Sequence, residues 1–195
     1  MIGMRVLVAE SPGPCPRCAG VMGVQKTIPR HGVTLEHGSF TARETVHSCT
    51  AGCRQDGALV TRRCAALALR LPPKTTIGYD VMVFAGVARF VHYRQREEIR
   101  ATLEREHGIT LSSGEVSELN RRFLVYLEAL HQDRAGALRE VLAKEGGWPL
   151  HIDATGEGGQ GTLLVAYAGW RGWALGAWKI PTERADAILP KLRAV

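Results

Sequence analysis

The sequence predicts a multidomain α+β protein, because its three parts differ in residue pattern. Residues 1–70 contain two cysteine pairs among Gly, Pro and Thr, residues 71–147 are rich in helix formers, and residues 148–195 alternate apolar and small residues as strands do. The pairs Pro72-Pro73 and Gly146-Gly147 are the natural joints between these parts. We therefore expect three segments, 1–70, 71–147 and 148–195, each with its own architecture.

The composition is that of a globular protein, and the charge favours a polyanionic partner. The 195 residues are 45% hydrophobic and 23% charged, which excludes collagen-like, mucin-like and wholly disordered chains. The 25 basic and 19 acidic residues give a net charge of +6, and residues 1–70 hold nine of the basic residues against four acidic ones. We find no run of 18 apolar residues and no secretion signal, so we expect a cytoplasmic, nucleoid-associated protein with no membrane partner.

The first segment predicts a zinc ribbon. Cys15 and Cys18 form a CxxC pair, Cys49 and Cys53 form a CxxxC pair, and thirty residues separate the two pairs. Five cysteines is an odd number, which favours a reducing compartment and metal ligation over a disulfide framework. Two tight turns with two thiolates each match the four tetrahedral ligands of zinc, and four thiolates leave no open position for water. We therefore expect structural Zn²⁺ at these four cysteines.

Alternatives remain open for this segment. The cysteines could be free, buried or redox-active, and His47 could replace Cys49 as a ligand, whereas Cys64 lies in an apolar stretch and is expected in the core. Residues 32–37 and 41–47 predict two short strands around Gly38-Ser39 that need a metal staple to fold. The cationic side chains of the ribbon are candidates for DNA phosphate contacts, with a solvated surface as the alternative: Arg17, Lys26, Arg30, Arg43 and Arg54.

The middle segment predicts a helix-turn-helix. Apolar residues recur at helical spacing in residues 79–92 and 95–107, and the second stretch ends at His107-Gly108. Ser112-Ser113-Gly114-Glu115 then has the spacing of a capping box. The helix that it opens is expected to run towards residue 131 and to bury the following apolar side chains: Val116, Leu119, Phe123, Leu127 and Leu130.

This layout is typical of proteins in which the second helix enters the major groove of DNA. Ser113, Ser117 and Arg121 lie beside or opposite the apolar stripe of that helix and are candidates for base or phosphate contacts. Helical hairpins without any nucleic-acid role have the same pattern, and Glu115 and Glu118 weaken a purely electrostatic account of binding.

The last segment predicts three antiparallel strands and a helix. Residues 150–155 alternate, with Asp153 on the polar face, and strands over 162–167 and 172–180 precede a helix that starts at Thr182-Glu183. Three such strands followed by a helix are typical of the opening of a ribonuclease-H-like fold, whose first strand carries an acidic residue that holds a divalent metal. Asp153 is therefore a candidate Mg²⁺ ligand, with an ordinary surface or hydrogen-bonded aspartate as the alternative.

The ordered set of motifs resembles a known family. The CPRC and CxxxC ribbon, the segment from Pro73 to Asp80, Arg96-Glu97-Glu98-Ile99 with its capped helix, and the strand from Leu150 to Thr155 follow one another along the chain. In this order they resemble the N-terminal half of a bacterial insertion-sequence transposase of the three-carboxylate (DDE) type.

The resemblance implies a fold, a partner and a catalytic residue. It implies an incomplete ribonuclease-H-like sheet, Asp153 as the first member of a Mg²⁺-binding catalytic triad, and a ribbon and helix-turn-helix that bind the terminal inverted repeats of the element as double-stranded DNA. The family's second Asp and final Glu have no counterpart here, so we expect a truncated, split or fragmentary transposase that is not catalytic alone. The alternatives are a strand-transfer nuclease completed by a partner chain or in a homo-oligomer, and a zinc-stabilised transcription regulator.

Overall fold

The chain is a mixed α/β protein that divides into two compact units. The computed structural model describes residues 12–144, 146–156, 158–159 and 161–193. In these residues, three antiparallel sheets and five helices are present. One unit ends at Val125 and the other begins at Tyr126. The three-segment division remains a prediction, because the structure shows compact units without testing those boundaries.

A long β-hairpin dominates the first unit. Strand β1 (Met22–Thr34) pairs antiparallel with β2 (Gly38–Cys49), and both strands are longer than the sequence predicted. The turn comprises residues 35–37 rather than Gly38-Ser39, and Gly38 closes it at φ +64°, a left-handed conformation that glycine adopts without strain. Pro29 cannot donate to a ladder, and its strand β1 is accordingly at the sheet edge.

Three very short strands follow the hairpin and enclose its cysteine-bearing end. Strands β3 (Arg54–Gln55) and β4 (Ala58–Leu59) form a small two-stranded sheet of their own. Strand β5 (Thr61–Arg62) adds to the free edge of β2, so the main sheet has the order β1-β2-β5.

The inner face of the hairpin packs on a short helix that the sequence did not predict. Helix α1 (Ala65–Ala68) contributes Leu67 to a buried cluster with Phe40 and Cys64, which is 8% exposed. Cys64 is therefore a core residue, as expected. Burying these side chains removes apolar surface from water and orients one face of the sheet inwards.

Three helices form the second core of this unit. Helices α2 (Tyr79–Phe90), α3 (Arg96–His107) and the start of α4 (Ser113–Lys144) match the predicted stretches closely. Helix α3 ends at Gly108 with φ +64°, and Ile109 and Leu111 of the connecting turn are buried among the helices. The apolar turn is therefore part of the three-helix core.

Helix α4 begins as predicted but runs further and buries less. Ser112 N donates to Glu115 Oε2 at 2.8 Å and Glu115 N donates to Ser112 Oγ at 3.2 Å, so both halves of the capping box are present. Val116 and Leu119 are buried and Phe123 is partly buried, as expected. The prediction was wrong for Leu127 and Leu130, which are 48% and 54% exposed because the three-helix core ends before them.

One carboxylate joins the hairpin to the helices. Asp80, in the first turn of α2, accepts hydrogen bonds from the backbone N–H groups of Leu35 at 2.7 Å and Glu36 at 3.4 Å, at the hairpin turn. Its other oxygen accepts from Val81 N at 2.8 Å. A parallel bridge between Val33 and Ile77 lies beside these bonds. The hairpin and the three-helix core therefore share polar side-chain and backbone contacts.

The second unit contains the predicted three strands in consecutive order. Strands β6 (Leu150–Gly156), β7 (Thr162–Ala168) and β8 (Trp173–Ile180) form one antiparallel sheet, and helix α5 (Ala185–Leu192) begins two residues after Glu183. Alternate residues of the central strand β7 are buried, and His131 of α4 lies 3.2 Å from the Leu175 carbonyl oxygen. The strand order was correctly predicted, whereas the ribonuclease-H-like assignment remains a prediction.

None of the described helices combines the length and the apolar character that crossing a bilayer requires.

Candidate metal centre and cationic sheet face

Four cysteine side chains converge at the base of the hairpin. The sulfur atoms of Cys15, Cys18, Cys49 and Cys53 all lie within 4.8 Å of one another, and those of Cys18 and Cys49 are 3.6 Å apart. A tetrahedral zinc ion with Zn–S bonds of about 2.3 Å places its sulfurs roughly 3.8 Å apart. The four predicted ligands are therefore close enough to hold one metal ion.

The first pair of ligands lies on a tight turn. Cys15 N donates to the Gly20 carbonyl oxygen at 2.9 Å, and Ala19 N donates to the Cys15 carbonyl oxygen at 2.8 Å. Ala19 is in the left-handed region with φ +55°, where a non-glycine residue is uncommon. A Cβ atom on Gly20 would lie only 3.1 Å from Cys18 Sγ, so a larger residue there would crowd the ligand.

The second pair lies at the end of β2 and is closed by the short strands. Gly52, with φ +72°, donates its N–H to the Cys49 carbonyl oxygen at 3.0 Å. Val60 N donates to the Cys53 carbonyl oxygen at 2.8 Å, and Cys49 N donates to the Val60 carbonyl oxygen at 3.1 Å. The extra residue of this CxxxC pair is thus accommodated in a hydrogen-bonded turn.

Two of the four thiols have pKa values that are shifted in opposite directions. A hydrogen bond from the Cys53 backbone N–H is the main cause that lowers the pKa of Cys49 to about 6, and weaker bonds from Cys18 and Cys15 add to it. The pKa of Cys53 is raised to about 12, first by its hydrogen bond with Cys18 and then by its hydrogen bond with Cys49. Four adjacent thiolates repel one another, so a bound cation favours deprotonation and metal binding releases protons.

The centre is closed on its inner side. Cys15 is 2% exposed and packs with Met22, Cys49 and Val60, whereas Cys18 is exposed at the surface. His47 pairs with Val24 and Arg62 across the strands and is not part of the cluster that the described residues form. Four sulfur ligands without an open position suit a structural metal, not a catalytic one.

The outer face of the β1-β2-β5 sheet is cationic and lacks carboxylates. Even-numbered residues of β2 from Phe40 to Val46 are buried, so Arg43 and His47 face outwards, and Arg62 of β5 stands directly opposite His47. Cross-strand hydrogen bonds on this outer face join Thr27 to Thr45 at 3.4 Å and His31 to Thr41 at 3.0 Å. The one carboxylate of β1 and β2, Glu44, is on the inner face.

The predicted phosphate contacts on the ribbon fall into three groups. Arg43 and Lys26 are exposed, and neither has an ion-pair partner in the described part of the chain. Arg17 Nη1 donates to the Arg54 carbonyl oxygen, and Arg54 Nη1 donates to Gly57 O at 2.8 Å, so both hold turns beside the metal site. Arg30 is on the inner face, 3.9 Å from Glu44 Oε2.

The side chains of α4 that were predicted to contact DNA form hydrogen bonds with other side chains of the protein. Ser113 Oγ donates to Glu97 Oε1, and Arg96 Nη1 donates to Ser117 Oγ at 3.0 Å. Arg121 is exposed but forms two hydrogen bonds of 2.8 Å with Glu118. These bonds are the first cause that lowers the pKa of Glu118 to about 2, and a hydrogen bond from Arg122 Nε at 2.7 Å is the second.

Arg62 is a cation of the outer face that sequence reasoning missed. Arg62 shares a face with His47 because β5 pairs with β2 at that position. Without knowledge of this pairing, the alternation along β2 says nothing about Arg62. Because a two-residue strand has no periodicity of its own, the sequence alone did not predict that pairing.

Asp153 lies on β6, as predicted, and its surroundings are simple. Its side chain is exposed, and Oδ1 accepts a hydrogen bond from Ala154 N at 2.9 Å. Over the described ranges, the four cysteines are the only group of three or more potential metal-ligating side chains, and Asp153 is outside it. The structure therefore places this carboxylate without giving it co-ligands.

In comparisons with known proteins, no family model, no curated protein and no solved structure matches this chain.

Proposed function

We propose that the first unit binds double-stranded DNA with Zn²⁺ in its cysteine cluster, and that the chain is the DNA-binding part of a DDE-type transposase that recognises terminal inverted repeats. The carboxylate-free outer face of the β1-β2-β5 sheet is the single observation that carries DNA binding. The family assignment rests on the order of the sequence motifs.

The outer face has the chemistry that a phosphate backbone requires. Arg43 and Arg62 present guanidinium groups without a neighbouring carboxylate, and threonine hydroxyls lie between them. Arginine binds phosphate through paired N–H donors, and each neutralised phosphate releases condensed counterions from the DNA. Strand residues four apart span roughly 13 Å, so Arg43 and His47 extend over several phosphates.

In this proposal the metal ion stabilises the sheet face and makes no direct contact with DNA. Cys49 is the last residue of β2 and Cys15 closes the opposite turn, so a bound ion fixes the end of the strand that carries the cations. Four thiolates favour zinc among the divalent ions of the cell because zinc accepts a tetrahedral sulfur set.

Helix α4 supplies the second contact in this proposal. Its N-terminal turns carry Ser113, Ser117 and Arg121, and its capped end offers a positive dipole to phosphate. Arg121 must exchange its bonds with Glu118 for bonds with DNA. Sequence recognition by this helix therefore costs part of an existing ion pair, and the sheet face supplies the sequence-independent affinity.

The chain by itself is expected to bind DNA without cutting it. Two-metal phosphoryl transfer needs several carboxylates around a pair of ions. Asp153 would be the first of these, and it would hold Mg²⁺ weakly because no further carboxylate joins it in a described ligand group. In this proposal Asp153→Ala leaves DNA affinity unchanged.

Fluorescence anisotropy with a random-sequence duplex and the zinc-loaded chain tests the proposal. The double variant Arg43→Gln/Arg62→Gln should bind more weakly and should lower the slope of log K against log salt by about two, since each phosphate contact contributes about 0.9. Arg63→Gln is the matched control, because Arg63 follows Arg62 and faces the inner side, near Glu44. An unchanged slope in the double variant would contradict the assigned face.

Selection from a random duplex library and a nicking assay complete the test. Recovery of inverted repeats by the wild-type chain, lost in Arg121→Ala, is expected if α4 reads the groove. Mg²⁺-dependent nicking that disappears in Asp153→Ala would instead favour the strand-transfer nuclease.

A further inference from the structure

A cavity lies on the inner side of the β1-β2-β5 sheet, opposite the cationic outer face. It has a volume of about 610 Å³ and lies between the hairpin, α1 and the loop that precedes α2. Ligand sites for small molecules typically measure about 300–1,000 Å³. Its polar lining is formed by Arg30, Glu44, Arg63, Lys74 and Tyr79.

Glu44 is the unusual group in this cavity. It is 4% exposed, and its Oε2 atom is buried without a hydrogen-bond partner among the described residues. Arg63 Nη1 lies 3.5 Å and Arg30 Nη1 lies 3.9 Å from that oxygen. These distances are longer than an N–H···O hydrogen bond, so the two guanidinium groups balance the charge without satisfying the oxygen. A buried carboxylate oxygen without a hydrogen-bond donor lowers the stability of the fold, unless a ligand supplies that donor.

The cations around Glu44 keep most of their donors available. A guanidinium group has five N–H donors, and the described ion pairs of Arg30 and Arg63 in this cavity go to one carboxylate oxygen. Lys74 lines the cavity and has no ion-pair partner in the described ranges. Its loop is held by Thr75 Oγ1, which lies 3.2 Å from Pro72 O and 3.1 Å from Ile77 O. Three cations and one carboxylate leave the cavity with a net charge of +2.

We propose that this cavity binds a small organic phosphate that also carries a hydroxyl or amino donor. The phosphate is bound by Arg30, Arg63 and Lys74, and the donor is bound by the unpartnered oxygen of Glu44. Inorganic phosphate fits less well, because its only donors are hydroxyls of the phosphate itself, and a bond from one of them to Glu44 brings two negatively charged groups together. A sugar phosphate and a nucleotide both have the required chemistry.

This site is independent of the DNA-binding proposal. Arg62 and Arg63 are neighbours in sequence, but Arg62 faces the outer side with His47 and Arg63 faces the cavity with Glu44. A substitution at one of them therefore tests one face of the sheet and leaves the other intact.

Isothermal titration calorimetry of the full zinc-loaded chain with ribose 5-phosphate, adenosine 5′-monophosphate and inorganic phosphate tests the site. We expect saturable binding of at least one organic phosphate, tighter than that of inorganic phosphate. The two organic ligands distinguish a sugar-phosphate site from a nucleotide site. Binding of adenosine 5′-monophosphate without binding of ribose 5-phosphate would show that the base is required. Arg63→Gln should weaken binding at least tenfold, and Arg62→Gln should leave it unchanged.

Glu44→Gln provides a second readout. It should reduce the preference for organic over inorganic phosphate severalfold, because a neutral amide oxygen accepts more weakly than a carboxylate and no longer repels phosphate. Arg63 is half exposed, and thermal unfolding of Arg63→Gln verifies that the variant is folded.

Three results would overturn the inference. The first is the absence of saturable binding by either organic phosphate at millimolar concentration. The second is equal weakening by Arg62→Gln and Arg63→Gln. The third is displacement of the ligand by duplex DNA, which would make the cavity part of the DNA surface. Loss of DNA binding in Arg43→Gln/Arg62→Gln bears on the proposed function alone.

Discussion

Replacing Cys15 by serine should weaken zinc binding, whereas the same replacement of Cys64, a buried cysteine of the same unit outside the cluster, should not. Cys15 and Cys64 are both buried, but Cys15 belongs to the four-sulfur cluster and Cys64 packs with Phe40 and Leu67 in the adjacent core. Cys15→Ser removes one of four ligands while keeping the shape of the side chain. Cys64→Ser makes the same chemical change away from the metal.

The size of the effect follows from the ligand count. Structural zinc contributes about 10–16 kcal/mol in zinc-finger peptides, so an equal share for one of four thiolates is about 2.5–4 kcal/mol. At 1.4 kcal/mol per factor of ten, Cys15→Ser should weaken zinc binding by about 10²–10³-fold. The turn that carries Cys15 is already closed by its bonds to Ala19 and Gly20, so little reorganisation offsets this loss.

Competition between the protein and a chromophoric chelator measures the zinc affinity of both variants. Circular dichroism of the apo and zinc-loaded forms shows whether the hairpin depends on the ion. Cys64→Ser should keep wild-type affinity. Equal zinc affinity for Cys15→Ser and the wild type, or equal losses for the two variants, would refute the assignment of the cluster as the metal site.

Two further changes test the packing and the electrostatics of the helices. Gly86→Ala would place a Cβ atom 2.1 Å from the Phe123 ring and should cost about 1–3 kcal/mol of unfolding free energy in urea. Gly136→Ala, with no atom within 4 Å of its new Cβ, should instead stabilise the helix by about 1 kcal/mol, and similar effects of the two would argue against this packing. The pKa of Glu118 is depressed to about 2, so its ion pairs contribute fully above the ordinary glutamate pKa and are lost as the pH falls through about 2. Carboxyl chemical shifts should show Arg121→Ala raising that pKa, and an unshifted titration would contradict the observed ion pair.

Helix positions were predicted well because their signals are local. The capping box at Ser112 and Glu115 and the stop at Gly108 are determined by residues within one turn, and both are present in the structure. Burial along the same helix was predicted less well. Leu127 has a favourable helical spacing but is exposed, because burial depends on whether another element reaches that turn.

The length of the hairpin strands was not predicted, because it depends on contacts between residues that are distant in sequence. The first ten residues of β1 carry no clear alternation and include Pro29, which discourages a strand assignment. The strand exists because β2 supplies a long antiparallel partner, a contact at large sequence separation. The cysteine cluster was correctly predicted, because metal-ligand spacing encodes which distant residues meet.

The hydrogen bonds of Asp80 connect the helices to the strands that carry the proposed metal ligands. This carboxylate joins the hairpin turn to the first turn of α2, so we expect the cysteine-bearing strands and the helical core to unfold together. A ligand that binds only the native state stabilises everything that unfolds with it, by an amount that grows with the logarithm of its free concentration. If the cysteine cluster binds zinc as proposed, the melting temperature of the helical core should therefore rise with the free zinc concentration.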